Sequence, residues 1–437
     1  VTVVDAVVVG AGLAGLAAAE QLHRLGRTVQ VFEASSRLGG RCCTDRRHFG
    51  AQHVELGGEF IDVHHPKVHA LIGRFGLHLD LVDADPSLAA LVVHEGRRYR
   101  LDALPEDVAA DLARYRLEVR RLTDGVDPFD VLTTDALDRL DDRSIADWLD
   151  ALALHPLARF LVDDDVRTGN MVDPGESSLA ELAWDEALIR AGGVEGHERF
   201  RVREGNDAMV GALAAALPEP VLLDTPVVGI DAGADGVDVH TAAATTSSAY
   251  IVIACPLAAL GAMEVRPSLP NEWRAAIREL HYGRGGKIAF QFPTRWWRDN
   301  GWSGRVIADG VIRHVWEPTE TQPGRGGVLT IDVSADPSPF ALTDDALLVE
   351  LERLFPGAPV HDVTATHRVD WTTEPGLAGS YVRFAAGQVR RFARMLREPC
   401  GRLILAGEHT DDFVGYLEGA LRSGLRAARW VDAQLPR

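Results

Sequence analysis

Val7-Val8-Val9-Gly10-Ala11-Gly12-Leu13-Ala14-Gly15 opens the stretch that decides the fold. A helical pattern runs on through Leu16, Ala19 and Leu22, Gly26 stops it, and Val29 and Val31 lead to Glu33. The order predicted is strand, glycine turn, helix, strand, acid. A bound dinucleotide requires each of these elements. Gly10 permits the tight turn, Gly12 lets the backbone approach a pyrophosphate, and Gly15 lets helix and strand pack closely. The helix start offers free N–H groups and partial positive charge to phosphates. Glu33 stands at the distance from the turn that suits ribose hydroxyls. A lone glycine motif is a weak signal; in this context it is a strong one.

Two further blocks narrow the cofactor. Arg37-Leu38-Gly39-Gly40-Arg41 is a second glycine turn, flanked by arginines, which suits a diphosphate gripped from both sides. Near the far end, Leu403-Ile404-Leu405-Ala406-Gly407-Glu408 reads as a strand ending in Gly-Glu, and a helix starts after Gly415-Tyr416 at Leu417. The positive end of that helix favours negative charge on a ligand. Gly419, Ala420 and Gly424 permit close packing. The N-terminal blocks resemble the glutathione-reductase-like FAD fold. With the C-terminal block, the resemblance is to the flavin-containing amine oxidases (monoamine and polyamine oxidases) over the whole chain, weakest in the helical middle.

Composition agrees with a large folded enzyme. At 437 residues the length predicts more than one domain, and 46% apolar residues allow a sizeable core. A net charge of −19 argues against nucleic-acid binding. Runs such as Asp163-Asp164-Asp165 read as solvated faces. Four cysteines make neither a disulfide framework nor a metal pattern, so they are read as reduced and the expected location is cytoplasmic. The first strand begins within a few residues of Val1, so no signal peptide is expected, and no apolar run is long enough for a membrane span. A homodimer is compatible with these features.

The predicted class is α/β: a Rossmann-like FAD-binding domain interleaved with a substrate domain of mixed β-sheet plus helices. Residues 1–75, 200–256 and 396–437 are assigned to the first; 76–199 and 257–395 to the second. His53 to Phe60 reads as a strand ending at Gly57-Gly58. Leu112–Leu122 and Ile145–Leu154 show helical spacing, and 76–199 as a whole reads as a helical insertion. Short strands are expected at 221–223, 227–230, 237–239 and 249–254. The period-two runs Lys287–Phe292 and Val328–Val333 predict a half-buried sheet.

The resemblance carries several site residues. Gly10, Gly12, Gly15, Glu33, Arg41, Gly57, Gly58, Val227, Trp371, Gly407, Glu408 and Leu417 are assigned to FAD. Tyr381 and Tyr416 fall where the family places two tyrosines that flank the amine before the flavin. Two electron-rich faces hold an amine and align its lone pair. Ser380 falls where monoamine oxidases carry a cysteine bonded to the flavin; serine forms no thioether, so the FAD is expected to be non-covalent. Lys287 stands where a family lysine holds a water against flavin N5, and it would assist reaction with O2. Glu59 follows the Gly57-Gly58 turn. It either anchors a substrate cation or acts as a base, or else bonds to cofactor or backbone. His64 and His65 are expected to form a polar cluster with Glu59. Their spacing is poor for a metal, and none is assigned.

The expected reaction is oxidation of a C–N bond in a small-molecule amine or amide. By resemblance, hydride passes from the α-carbon to flavin N5, an imine or iminium results, and O2 reoxidises the flavin to give H2O2. The alternatives are a tailoring oxidase of secondary metabolism acting on a larger amine or amide, and an L-amino acid oxidase. The chain lacks the Pro-Met-Arg context that amino acid oxidases use for the substrate carboxylate. A flavin monooxygenase and a non-enzymatic FAD module fit the motifs less well.

Overall fold

The computed structural model describes residues 2–82, 85–129, 135–192 and 197–436. Two sheets organise it. In the first, Thr2–Val9 lies between Val29–Phe32 and Thr245–Ile253, parallel to both. Val8 pairs with Val31 on one side and Val252 on the other, so the apolar run expected of a buried parallel strand fills the middle of the sheet. The long Thr245–Ile253 strand has a divided second edge. Its first half pairs antiparallel with Val237–Thr241, and its last three residues pair parallel with Leu403–Leu405.

Helices Leu13–Arg24 and Leu417–Gln434 cover one face of this sheet. Leu16, Ala17, Val31, Val252, Ile404, Ala427 and Val431 form one buried cluster there. The two helices meet backbone to backbone: a methyl group on Gly424 would collide with the carbonyl oxygen of Ala14. Gly15 is equally constrained, since a methyl there would strike the Gly10 carbonyl oxygen.

The second sheet runs Ala365–Asp370, Gly285–Phe292, Gly327–Ser334, His314–Trp316, Trp302–Ala308, Ala89–His94 and Arg97–Arg100. One face packs on Trp297 and on Leu347 and Leu351 of the helix Asp344–Leu354. The opposite face is covered as well, contrary to the half-buried sheet that the alternating pattern predicted. Gly327–Ser334 is buried throughout, and Gly285–Phe292 at every residue except Gln291. The reason is that Phe49, Val54 and Leu56, from the N-terminal region of the chain, pack against Ala289, Val328 and Trp371. The period-two signal marks two different buried environments rather than core and solvent.

Other expectations are corrected too. His53 to Phe60 contributes only Val54–Glu55 as strand, because the chain turns at Gly57, where a side chain would strike the Arg41 carbonyl oxygen. Leu222 makes a single bridge to Phe32 instead of a strand over 221–223. The segment 76–199 is not purely helical, since Ala89–His94 and Arg97–Arg100 add two strands to the second sheet. Glu264–Arg266 pairs with Val227–Ala232, so the first sheet extends beyond residue 256. The helices Glu106–Leu122, Ile145–Leu152, Pro156–Asn170 and Leu179–Ala191 do form. Ile145–Leu152 starts where Ser144 and Asp147 cap each other's backbone, and it ends at Ala153 in a left-handed conformation, short of the expected Leu154. Among the described residues, no helix is long and apolar enough to cross a membrane.

Gly424→Ala should destabilise the protein by about 1–3 kcal/mol, since the added methyl must force apart helices that touch through backbone. An unfolding midpoint in urea equal to that of the parent would contradict this packing.

Candidate active site

The two glycine turns near the N-terminus are bonded to each other. Gly39 N–H donates to the Ala11 carbonyl at 2.9 Å, and a methyl placed on Gly12 or Gly40 would meet nothing nearer than 3.8 Å. Between the turns lies open space bounded by bare backbone. The Leu13–Arg24 helix begins there, with no side chain capping its first amides. Uncapped amides facing an open glycine surface fit a diphosphate. Glu33 accepts from Ala11 N–H at 2.8 Å with one oxygen and from Ser35 with the other. Thr225 N–H bonds to the Glu33 carbonyl at 2.9 Å, which brings the start of the Val227–Ala232 strand beside the acid. Gly10, Gly12, Gly15, Glu33 and Val227 are thus brought together.

A second group gathers around the Gly57-Gly58 turn. Gly58 N–H bonds to the Arg41 carbonyl at 3.0 Å, and Trp371 Nε1 donates to the Leu56 carbonyl at 3.0 Å. The side chain of Leu417 packs on Gly58. Arg41 donates to Glu408 at 2.9 Å and to the Ser380 carbonyl. Glu408 also accepts from Gly415 N–H at 3.1 Å. Arg41 and Glu408, both assigned to the cofactor, are therefore each other's partners, and they tie residues 380 and 415 to the second glycine turn. Gly407 closes the strand Leu403–Leu405 with its N–H on Ser423 Oγ at 2.9 Å.

Lys287 lies under this turn. Its ammonium donates to the Glu55 carbonyl at 2.9 Å, the Gly57 carbonyl at 3.0 Å and a Glu59 oxygen at 2.6 Å. All three protons are used. The other Glu59 oxygen accepts from Arg201 at 2.7 Å and Trp316 Nε1 at 3.1 Å, and Arg201 reaches on to Glu320. Burial pushes the Glu59 carboxyl up, but the Lys287 and Arg201 charges outweigh it and hold it below its ordinary range. A carboxylate so depressed and so fully bonded is a poor base. It reads as the counter-ion that keeps two buried cations in place.

His64 and His65 do not join Glu59, contrary to the sequence expectation. They cluster with Asp62, whose Oδ2 also takes His197 Nδ1 at 2.9 Å. Asp62, His64 and His65 are near enough to suggest a metal. The tautomer argues otherwise. Asp62 N–H donates to His65 Nδ1 at 3.0 Å, so the neutral ring carries its proton on Nε2, the atom that a metal would need bare.

Tyr381 and Tyr416 both adjoin Gly415, the first through space and the second along the chain. A methyl on Gly415 would press on the Tyr381 ring at 3.2 Å, and Tyr416 caps the helix that follows. Each hydroxyl is pinned: Tyr381 donates to the Gly169 carbonyl at 2.8 Å, and Tyr416 to Asp185 at 3.0 Å. Burial pushes the Tyr381 phenol up to about 12 and the Tyr416 phenol well above its ordinary value, so both stay neutral. Behind Tyr381, the Arg383 guanidinium lies 4.7 Å from the ring centre and pairs with Glu181 at 3.2 Å.

Asp185, Glu181, Arg383 and Arg201 were missed by sequence reading. Two signals existed. Glu181 and Asp185 are four apart in the helix Leu179–Ala191 and so share a face. Arg383 is two residues from Tyr381, which puts both on one side of an extended segment.

Comparison with known proteins agrees with this geometry. Residues 13–431 match the family model for flavin containing amine oxidoreductase. The provisionally named flavin-containing monoamine oxidase AofH of Mycobacterium tuberculosis is 30% identical, over 99% of this chain and 97% of its own. (S)-6-hydroxynicotine oxidase of Paenarthrobacter nicotinovorans is 29% identical, over 96% and 97%. The solved structure of cyclohexylamine oxidase from Brevibacterium oxydans superposes with a TM-score of 0.89 at 25% identity, covering 99% of this chain and all of that one. The chain belongs to the flavin-containing amine oxidoreductases, and its cofactor is FAD.

Proposed function

We propose that this oxidoreductase oxidises a C–N bond in a small-molecule amine held between Tyr381 and Tyr416, uses O2 as electron acceptor, and holds its FAD without a covalent link. The observation that carries the reading is the tyrosine pair, two neutral phenols fixed at their hydroxyls and both adjoining Gly415. When bound, FAD supplies the two-electron acceptor for the substrate and passes the electrons to O2.

The chain's own groups supply position and charge. The tyrosine rings exclude water and present two π faces to the amine, which orients its lone pair and α-carbon. The residues assigned to the nucleotide lie at the two glycine turns and along the Gly57-Gly58 segment. Ser380 is a hydroxyl donor to the Gly283 carbonyl at 3.0 Å and offers no sulfur for a thioether. Lys287 contributes a fixed positive charge. With its three protons on protein acceptors, it acts in this arrangement through its field rather than by holding a water.

An amine substrate is favoured over an amino acid. The cation next to Tyr381 is Arg383, and its guanidinium is taken by Glu181 and by the Gly169 carbonyl at 2.6 Å. A substrate carboxylate would have to compete with Glu181 for a guanidinium whose one nitrogen without a partner among the described residues, Nε, is buried.

The decisive measurement is anaerobic bleaching of the bound flavin by a panel of amines, amides and amino acids. Amines should bleach it, and a flavin that none of them reduces would end the reading. Lys287→Met should slow the oxygen half-reaction by orders of magnitude while leaving anaerobic reduction far less affected; equal oxygen rates in both proteins would remove the role given to Lys287. Acid precipitation should leave the yellow colour in the supernatant, and colour pelleting with the protein would show a covalent flavin.

A further inference from the structure

Buried polar side-chain atoms ordinarily have a hydrogen-bond partner. His64 and His65 depart from this. His64 is 9% exposed and His65 fully buried, yet both nitrogens of His64 and Nε2 of His65 lack a partner. Each unsatisfied buried polar atom costs about 1–3 kcal/mol. Histidine is not needed there for packing, which an apolar or smaller side chain would provide without that penalty.

The orphan atoms converge. Asp62 Oδ2 stands 3.9 Å from His64 Nε2 and 3.8 Å from His65 Nε2. These gaps are too long for direct hydrogen bonds and short enough for one oxygen atom to bridge. The character of the bridging group follows from the donors and acceptors. His65 presents an N–H, because its Nδ1 already accepts from Asp62 N–H. Asp62 Oδ2 presents a lone pair. His197 lies 2.9 Å from the same oxygen, and although burial works against its charge, the Asp62 carboxylate raises it to about 9, so it is a cation. An ammonium in the gap would face the His65 N–H and this cation. A carboxylate would face Asp62. A hydroxyl donates its one proton to Asp62 and accepts from His65 and from His64 in its Nε2–H tautomer.

The cluster borders the proposed amine cage. The His65 ring meets the Tyr416 ring edge-on with centroids 5.2 Å apart, and both histidines pack on Phe413. Asp185, which holds the Tyr416 hydroxyl, also lies close enough to act on His64.

We propose that Asp62, His64 and His65 form a subsite for a hydroxyl group of the substrate, so that the enzyme prefers hydroxylated amines. The proposal rests on the amine-oxidising reading above. A polar site built for a hydroxyl discriminates against the analogue that lacks it, because its own groups are then left unpaired.

The test uses the FAD-loaded enzyme and pairs of amines differing by one hydroxyl: tyramine against phenethylamine, and aminoalkanols of graded length against the matching alkylamines. kcat/KM should favour the hydroxylated member at least tenfold in one or more pairs. The preference should fall to near unity in His65→Leu and persist in His65→Gln, which keeps an N–H donor. If His65→Leu fails to retain FAD, His64→Leu provides the same comparison. Amines that reduce the flavin with no hydroxyl preference would mean that the gap holds only a water, and the proposal would be overturned. A preference that survives both leucine variants would overturn it too. If no amine of any pair reduces the flavin, the amine reading itself fails and the subsite falls with it.

Discussion

The ammonium of Lys287 holds the molecule together where its two modules meet. It rises from a strand of the second sheet and takes three acceptors from the segment Glu55 to Glu59, which belongs to the N-terminal module. Burying an ammonium is expensive unless it is fully bonded, and removing a partner from such a pair costs about 3–5 kcal/mol. The bonds therefore leave the Gly57-Gly58 turn one seat on the sheet. Everything proposed for the flavin face follows from that seat: Trp371 on Leu56, Leu417 on Gly58, and Arg41 beneath them. Glu59 and Arg201 extend the same clamp to Glu320.

The features of the fold that were legible in the sequence are those set by local chemistry. A glycine that must turn at positive φ, or that must admit a neighbouring backbone, leaves a mark no other residue can make. Gly10 at φ +102° and Gly15 against the Gly10 carbonyl are such marks. The helix from Ile145 was legible from its apolar spacing, while its Ser144–Asp147 cap and its end at Leu152 were not read. What was not legible is pairing across long stretches of chain. Nothing near Glu59 in sequence announces Lys287 or Arg201, and nothing near Tyr381 announces Glu181. The same limit made a doubly buried strand look half-exposed, since the residues covering its second face come from the far N-terminal region. His64 and His65 were read toward Glu59, whose oxygens are claimed by distant cations; their partner Asp62 is nearer in sequence still, so that miss is not one of range.

Charge in the candidate site is arranged by partner, not by total. The chain is acidic, at −19, yet the acids that approach the tyrosines each have an assignment. Asp185 holds a phenol, Glu181 neutralises Arg383, and Asp62 takes His197. Burial raises the Glu181 carboxyl to about 7 against the pull of Arg383. The two rings consequently differ in surroundings: Tyr381 has a guanidinium over it, and Tyr416 donates to a carboxylate. A substrate between them meets an environment with direction.

The contact between the helices Leu13–Arg24 and Leu417–Gln434 has a consequence for how the protein comes into being. The apolar face of the first helix is finished early in synthesis, and the surface that covers it is made after more than nine-tenths of the residues shown. The strand Leu403–Leu405, which completes the edge of Thr245–Ile253, is equally late. The first sheet therefore cannot close on its early strands alone. Until the helix Leu417–Gln434 is made, the side of Leu13–Arg24 that it covers lacks its partner, and transient apolar exposure of that kind favours aggregation in large chains.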